Sequence, residues 1–387
     1  MQASRSFKSL FSLPDDLHYL NCAYMAPLSR RVAAAGHAAL ERLGAPSRVR
    51  TSDFFEPCDR VRNRFARLVN VTDPQRIALI PSVSYAMATV ARNVDVAPGR
   101  NLVFVEGQFP SNVHIWRRLA AARGAELRPV AAPRAAGARG RGWNEALLAA
   151  IDERTALATV PPFHWTDGSR FDLEAVGGRA RAAGAAFIVD GTQAVGAVPF
   201  DCARIAPDAL VCAGYKWLTG PYSVGVAYFG PAFDGGVPLE ENWITRRGSD
   251  DFANLANGRD EYRPGAIRYD VGERSNFVLM PMLDEALAQV SEWGPAAVEA
   301  HTRALTDAAA AALRDLGCGI EEDAWRAPHL LGVRLPPGLE PAALAGELRR
   351  RQVSVSVRGR ALRVAPHLYN DADDLAALVE VVRDSLA

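Results

Sequence analysis

The stretch Phe187-Ile-Val-Asp-Gly-Thr-Gln-Ala-Val-Gly196 constrains the fold more than any other part of the chain. It opens with a continuous apolar run, the pattern of a strand buried on both faces of a parallel sheet, and places an acid and a glycine at the strand's C-terminal end. In open α/β sheets that end is where ligands bind. A lysine follows in Ala213-Gly-Tyr-Lys-Trp217, ahead of the turn Gly220-Pro221. Asp190 and Lys216 are 26 residues apart, about one strand–crossover–strand unit.

Cofactor chemistry gives that pair a meaning. Pyridoxal phosphate requires a lysine amine for its Schiff base and a carboxylate beside its pyridine nitrogen. The carboxylate keeps the nitrogen protonated, because an opposite charge nearby favours the charged form. The lysine must be nucleophilic near neutral pH, which desolvation favours by lowering its pKa.

Val189-Asp-Gly-Thr-Gln-Ala-Val-Gly196 and Gly214-Tyr-Lys216 with Gly220-Pro221 resemble the class V aminotransferase family, the pyridoxal-phosphate group that includes cysteine desulfurases, kynureninase and isopenicillin N epimerase-like proteins. The resemblance extends over nearly the whole chain. It implies a fold type I α/β protein with a mostly parallel seven-stranded sheet in a large domain and a small α+β C-terminal domain. The expected division is an N-terminal segment, 1–20, packing with the small domain, a cofactor-binding domain over 21–264, and the small domain over 265–387. The family also implies a homodimer with active sites at the interface.

Bulk properties narrow the function classes. Lys+Arg and Asp+Glu number 44 each, with no basic block, which argues against nucleic-acid or membrane binding. The five cysteines are scattered and form no CxxC, so neither a zinc site nor a disulfide framework is expected. A reducing cytoplasm fits this usage best. The first ten residues lack a signal-peptide core, and no apolar run is long enough to span a bilayer.

Taken in order, the chain alternates helix and strand signals, as layered α/β folds do. Asn21-Cys-Ala-Tyr-Met-Ala-Pro-Leu-Ser29 reads as a loop with Ser29 as N-cap, and 30–43 and 54–69 as amphipathic helices. The family places the first loop beside the substrate, which implicates Ala23 and Tyr24. A strand from Ile77 gives way to a helix near Ser82 and Ser84, where free N–H groups and the dipole favour a phosphate. By resemblance Val83, through its backbone, and Ser84 hold the cofactor phosphate. After a strand over 101–106, Phe109 matches the position that stacks on the pyridine ring. A strand and loop over 156–168 bring His164 as a second acid–base candidate and Trp165 as a donor to the ring hydroxyl. Gln193 matches a residue that bonds the ring oxygen, and Tyr215 is like the kynureninase tyrosine that reaches the phosphate.

Residues 230–266 read as a long excursion in which Trp243, Phe252 and Tyr262 need burial. Arg268-Tyr-Asp-Val-Gly-Glu-Arg-Ser-Asn-Phe277 resembles the segment that family dimers insert into the neighbouring site, making Trp243, Ser275 and Asn276 candidates to reach the partner's phosphate. A helix over 279–293 leads toward the small domain, where 353–357 reads as one alternating strand and 371–386 as a closing helix with an acidic first turn. Arg363, before His367-Leu-Tyr-Asn370, matches the arginine that binds the substrate carboxylate, a task suited to a planar, permanently charged fork. Arg358 and Arg360 are nearby alternatives for a second acidic group.

Cysteine desulfurases need a mobile cysteine before that arginine. Residues 349–360 contain none, and Phe109 and Tyr215 stand where both family histidines would be. The expected activity is therefore aminotransfer on an amino acid or related amine through Lys216, with a kynureninase-like or β-eliminating lyase or hydrolase, or an epimerase, as alternatives. A non-catalytic binder is opposed by the joint presence of Lys216, Asp190, Gln193 and Arg363. A nicotinamide-binding protein is opposed by the lack of an early GxGxxG.

Overall fold

The computed structural model describes residues 7–133 and 139–386. A seven-stranded sheet dominates it, in the order Ile77–Ile80, Gly225–Phe229, Ala209–Ala213, Ala186–Asp190, Thr155–Val160, Asn101–Val105, Glu126–Val130. Only the two pairings made by Gly225–Phe229 are antiparallel. This is the mostly parallel α/β sheet expected from the alternating pattern.

Alternation along each strand sends neighbours into opposite layers. Phe187 and Val189 pack with Val61 and Phe65 of the helix Glu56–Leu68, Trp143 and Leu147 of Arg139–Ala150, and Val176 and Ala180 of Leu173–Ala182. Ile188 faces the other way, toward Met87 and Val90 of Val83–Asn93 and Trp116 and Leu119 of His114–Arg123. Both faces are covered, so the central strands are apolar throughout.

A three-stranded antiparallel sheet, in the order Ser356–Arg358, Ala361–Val364, Leu331–Arg334, carries the C-terminal helices Pro341–Arg350 and Ala372–Asp384. The last is capped by Asp371, with Asp374 completing a capping box. The expected single strand over 353–357 is split. Val353–Ser354 pairs with His18–Tyr19, and Ser356–Arg358 with Ala361–Val364, because the chain changes partners at Val355. The helix Leu279–Trp293 has its expected bounds but buries Met280, Leu283 and Leu287 in the core of the large sheet. The excursion over 230–266 also differs from expectation. Trp243 is 43% and Phe252 38% exposed, gathered edge-on around Phe54 at 6.1 and 5.3 Å, since this surface segment offers no apolar layer to cover them.

The loop carrying Lys216 is seated against backbone. Gly196 has φ +98°, and a Cβ there would lie 2.4 Å from the Trp217 carbonyl oxygen. Gly196→Ala is expected to combine left-handed strain with a backbone clash, costing about 3 kcal/mol or more. A lowered midpoint in thermal denaturation is the readout.

Candidate active site

The C-terminal ends of the parallel strands converge on a cavity of about 340 Å³. Ile80 leads into Pro81-Ser82-Val83-Ser84, Val105 into Gln108 and Phe109, and Val160 into Trp165. Asp190 ends its own strand, Ala213 leads to Tyr215 and Lys216, and Tyr222 to Val224 precede the antiparallel strand. Adjacent parallel strands end at one sheet edge, so residues remote in sequence become neighbours.

Lys216 is 8% exposed, and its ammonium nitrogen lies 5.4 Å from the Phe109 ring centroid and 5.6 Å from that of Tyr215. Burial, reinforced by the Arg363 charge, lowers its pKa to about 8 against the partial opposition of Asp190. Burial pushes the Asp190 carboxyl upward despite hydrogen bonds from Thr192, whose N–H donates to Oδ1 at 3.1 Å. Asn112 also faces this carboxylate. Its Oδ1 is fixed by Trp116 Nε1 at 2.8 Å and Thr159 Oγ1 at 3.1 Å, while its buried Nδ2 lacks a well-formed partner.

The phosphate end is equally built. Ser82 caps the helix Val83–Asn93 by accepting from the Tyr85 N–H at 3.2 Å, and its Oγ lies 2.9 Å from that of Ser84. The cap leaves other first-turn N–H groups for an anion. Gln193 is locked as well, donating through Nε2 to the Ala23 carbonyl at 3.1 Å and accepting from Trp217 Nε1 at 2.8 Å. One amide N–H remains. The backbone carbonyl of Gln193 accepts from His329 Nε2 at 2.7 Å, and burial depresses that imidazole to about 4, keeping it neutral.

These residues fit pyridoxal phosphate. A buried acid, an amine of lowered pKa, an aromatic face and a helix N-terminus line one cavity, and Asn112 supplies a fixed donor to the acid. Burial pushes both Asp190 and Lys216 toward their neutral forms; a protonated ring nitrogen beside Asp190 would restore its charge.

A sequence model of "Aminotransferase class-V" matches residues 26–387. The chain belongs to the class V aminotransferase family. Pyridoxal phosphate is the cofactor of this family. An uncharacterized aminotransferase from Bacillus subtilis strain 168 is 24% identical over 331 residues, covering 85% of this chain and 84% of that protein. Isopenicillin N epimerase from Streptomyces clavuligerus is 27% identical over 333 residues, covering 84% and 83%. Among solved structures, the cystine C–S lyase C-DES in complex with its product cysteine persulfide superposes with a TM-score of 0.84 at 20% identity, covering 96% of this chain and 98% of that chain. That likeness carries the fold type I architecture.

In this class V chain the expected site residues do not all meet. Val83, Ser84, Phe109, Trp165, Asp190, Gln193, Tyr215 and Lys216 line the cavity. The Trp165 indole N–H, expected to serve a ring hydroxyl, instead donates to the Gly107 carbonyl at 2.7 Å. His164 does not line the cavity: it is buried against Trp143, with Nδ1 2.7 Å from Thr166 Oγ1. Tyr24 is 57% exposed, while Ala23 is buried and contributes its carbonyl to Gln193. Ser275 donates to the Phe54 carbonyl at 2.5 Å, Asn276 Oδ1 accepts from the Leu279 N–H at 2.9 Å, and Trp243 lies in the aromatic group around Phe54, all outside this cavity. Arg363 is 2% exposed; it donates to the Trp165 carbonyl at 3.0 Å and Ser356 Oγ at 3.2 Å.

Asn112, Thr192, Tyr222 and Ser223 belong to the site but were not singled out from sequence. Asn112 had a usable signal, standing three residues after Phe109 in the same βα turn. Tyr222 had none, because its approach to Tyr215, 4.6 Å between ring centroids, depends on the turn at Ser223.

Proposed function

We propose that this chain is a pyridoxal-phosphate-dependent aminotransferase acting on an amino acid, with Lys216 as both the cofactor-attaching amine and the proton carrier. When bound, the cofactor supplies an aldehyde for the substrate amine and an electron-accepting ring. Ser84 and the Val83 N–H would hold its phosphate, Phe109 would present a face to the ring, and Asp190 would hold positive charge on the ring nitrogen. Lys216 Nζ would take the α-proton and deliver it away from the α-carbon, and Arg363 would orient the substrate carboxylate. The homodimer proposed here brings Trp243, Ser275 and Asn276 to the neighbouring site.

The observation that carries the choice of reaction is the placement of His164. With the His164 imidazole turned into Trp143 and Thr166, Lys216 is the one amine or imidazole among the described residues that line the cavity, and transamination needs no second base. The Tyr215–Tyr222 pair in the same cavity favours a second reading, an epimerase or lyase with a tyrosine as the other proton donor. Desulfuration has little support: all five cysteines are buried, and burial raises the Cys22 thiol to about 12. Incubation of the loaded protein with a panel of amino acids, followed by mass spectrometry, tests the choice. A keto acid with pyridoxamine phosphate supports transamination; ammonia with unchanged cofactor, or an inverted amino acid, supports the second reading.

The lowered Lys216 pKa also sets a pH dependence. The neutral amine is the nucleophile, so the rate of cofactor attachment is expected to rise with pH and level off near 8, where an exposed lysine would keep accelerating toward 10.5. Between these values the unfolded chain holds a proton the folded one has released, so the unloaded protein gains stability as pH rises through that window. Stopped-flow absorbance and denaturation over pH 6–10.5 check both.

A further inference from the structure

The hairpin that carries Arg363 places a second guanidinium on the same face. Ser356 pairs with Arg363 and Arg358 with Ala361 in the antiparallel register. Directly opposed residues share a face, as do residues two apart on one strand, so Arg358 and Arg363 are diagonal neighbours with Cα atoms roughly 7 Å apart. Both guanidiniums lie by the Trp165 ring, at 5.4 Å for Arg358 and 6.0 Å for Arg363. Trp165 in turn lines the cavity that holds Lys216.

Neither arginine has a carboxylate partner among the described residues. Arg358 donates only to the Val357 carbonyl, Arg363 to the Trp165 carbonyl and Ser356, and the Nε–H of each is buried without a partner. Arg360, in the same hairpin, is different: it pairs with Glu340 at 3.7 Å. Contact with one indole accounts for the position of a guanidinium but does not neutralise two of them. The helix N-terminus at Ser82–Ser84 provides a separate place for the cofactor phosphate; neither arginine lines that cavity, and both stand behind Trp165, close enough for their charges to act on Lys216.

Building on the proposed amino-acid reaction, we propose that Arg358 and Arg363 form a double anion site, so that the preferred substrate is a dicarboxylic amino acid. Arg363 takes the α-carboxylate and Arg358 the side-chain carboxylate, with the Trp165 ring, against which both guanidiniums lie, as the side wall of the site.

Binding of acids that lack an amine tests this without turnover. The loaded protein is titrated calorimetrically with succinate and glutarate, each against the monocarboxylate of equal length, butyrate or valerate. At least one dicarboxylate is expected to bind tenfold or more tightly than its partner. Arg358→Gln is expected to remove that preference and leave monocarboxylate affinity unchanged, whereas Arg358→Lys retains most of it. Equal affinities in the unaltered protein, or a preference that survives Arg358→Gln, would overturn the proposal. Failure of the broader reading is seen separately, as absence of a borohydride-fixed cofactor adduct in the mass of the protein.

Discussion

Lys216→Ala is expected to abolish covalent retention of pyridoxal phosphate. After loading and borohydride reduction, the unaltered chain gains the mass of one reduced cofactor and the variant gains none. Turnover is expected to fall by at least about a thousandfold, equivalent to roughly 4 kcal/mol of transition-state stabilisation. The physical ground is the burial of this amine beside Asp190 and Phe109, which leaves it neutral in a useful fraction at physiological pH. Stability should not fall in parallel. Removing a cation that burial disfavours offsets the lost packing of its stem. Unchanged turnover, or an adduct of full mass in the variant, would contradict the assignment of Lys216.

The second large effect is expected at Asp190. Asp190→Asn keeps shape and the hydrogen bond from Thr192 but removes the charge that faces the ring nitrogen. The variant is expected to bind cofactor and to attach it through Lys216, yet to lose about a thousandfold in kcat, because a neutral amide no longer favours the protonated ring. Asp190→Glu, which restores charge with an added methylene, should recover part of the rate if charge is what matters. The absorbance of the loaded variant separates a chemical defect from failure to load. Asn112→Ala offers a milder comparison. It removes the amide facing Asp190 and leaves the buried Trp116 and Thr159 donors unpaired, so it should cost both activity and stability.

Local motifs made part of this site legible in the sequence. The apolar run ending in Asp190, the lysine after the next strand and the serines opening a helix at Val83 are set by backbone connectivity. A strand's C-terminal end and the turn that follows it have little freedom, so the residue type there reports the chemistry available. Phe109 and Tyr215 fall on the same kind of turn and join Lys216 for the same reason.

Side chains on longer loops were less legible. His164 and Trp165 are adjacent in a strand-end loop, yet only Trp165 lines the cavity, and its indole N–H is already taken by Gly107. Which of two neighbours turns inward was decided by Thr166 in the same loop and by Trp143 and Arg363, which come from two other stretches of the chain. The aromatic residues Trp243 and Phe252 were expected to be buried because of their size; the surface path of their segment left them partly open.

The sequence by itself determined the layered α/β arrangement and the acid–lysine pair, because continuous apolar runs and strand-end geometry act over a few residues at a time. Only the tertiary structure decided that Arg358 shares a face with Arg363, that Asn112 meets Asp190, and that His164 is withdrawn from the cavity. Those relations depend on strand register and on packing between distant segments, and neither is encoded in any single stretch of residues.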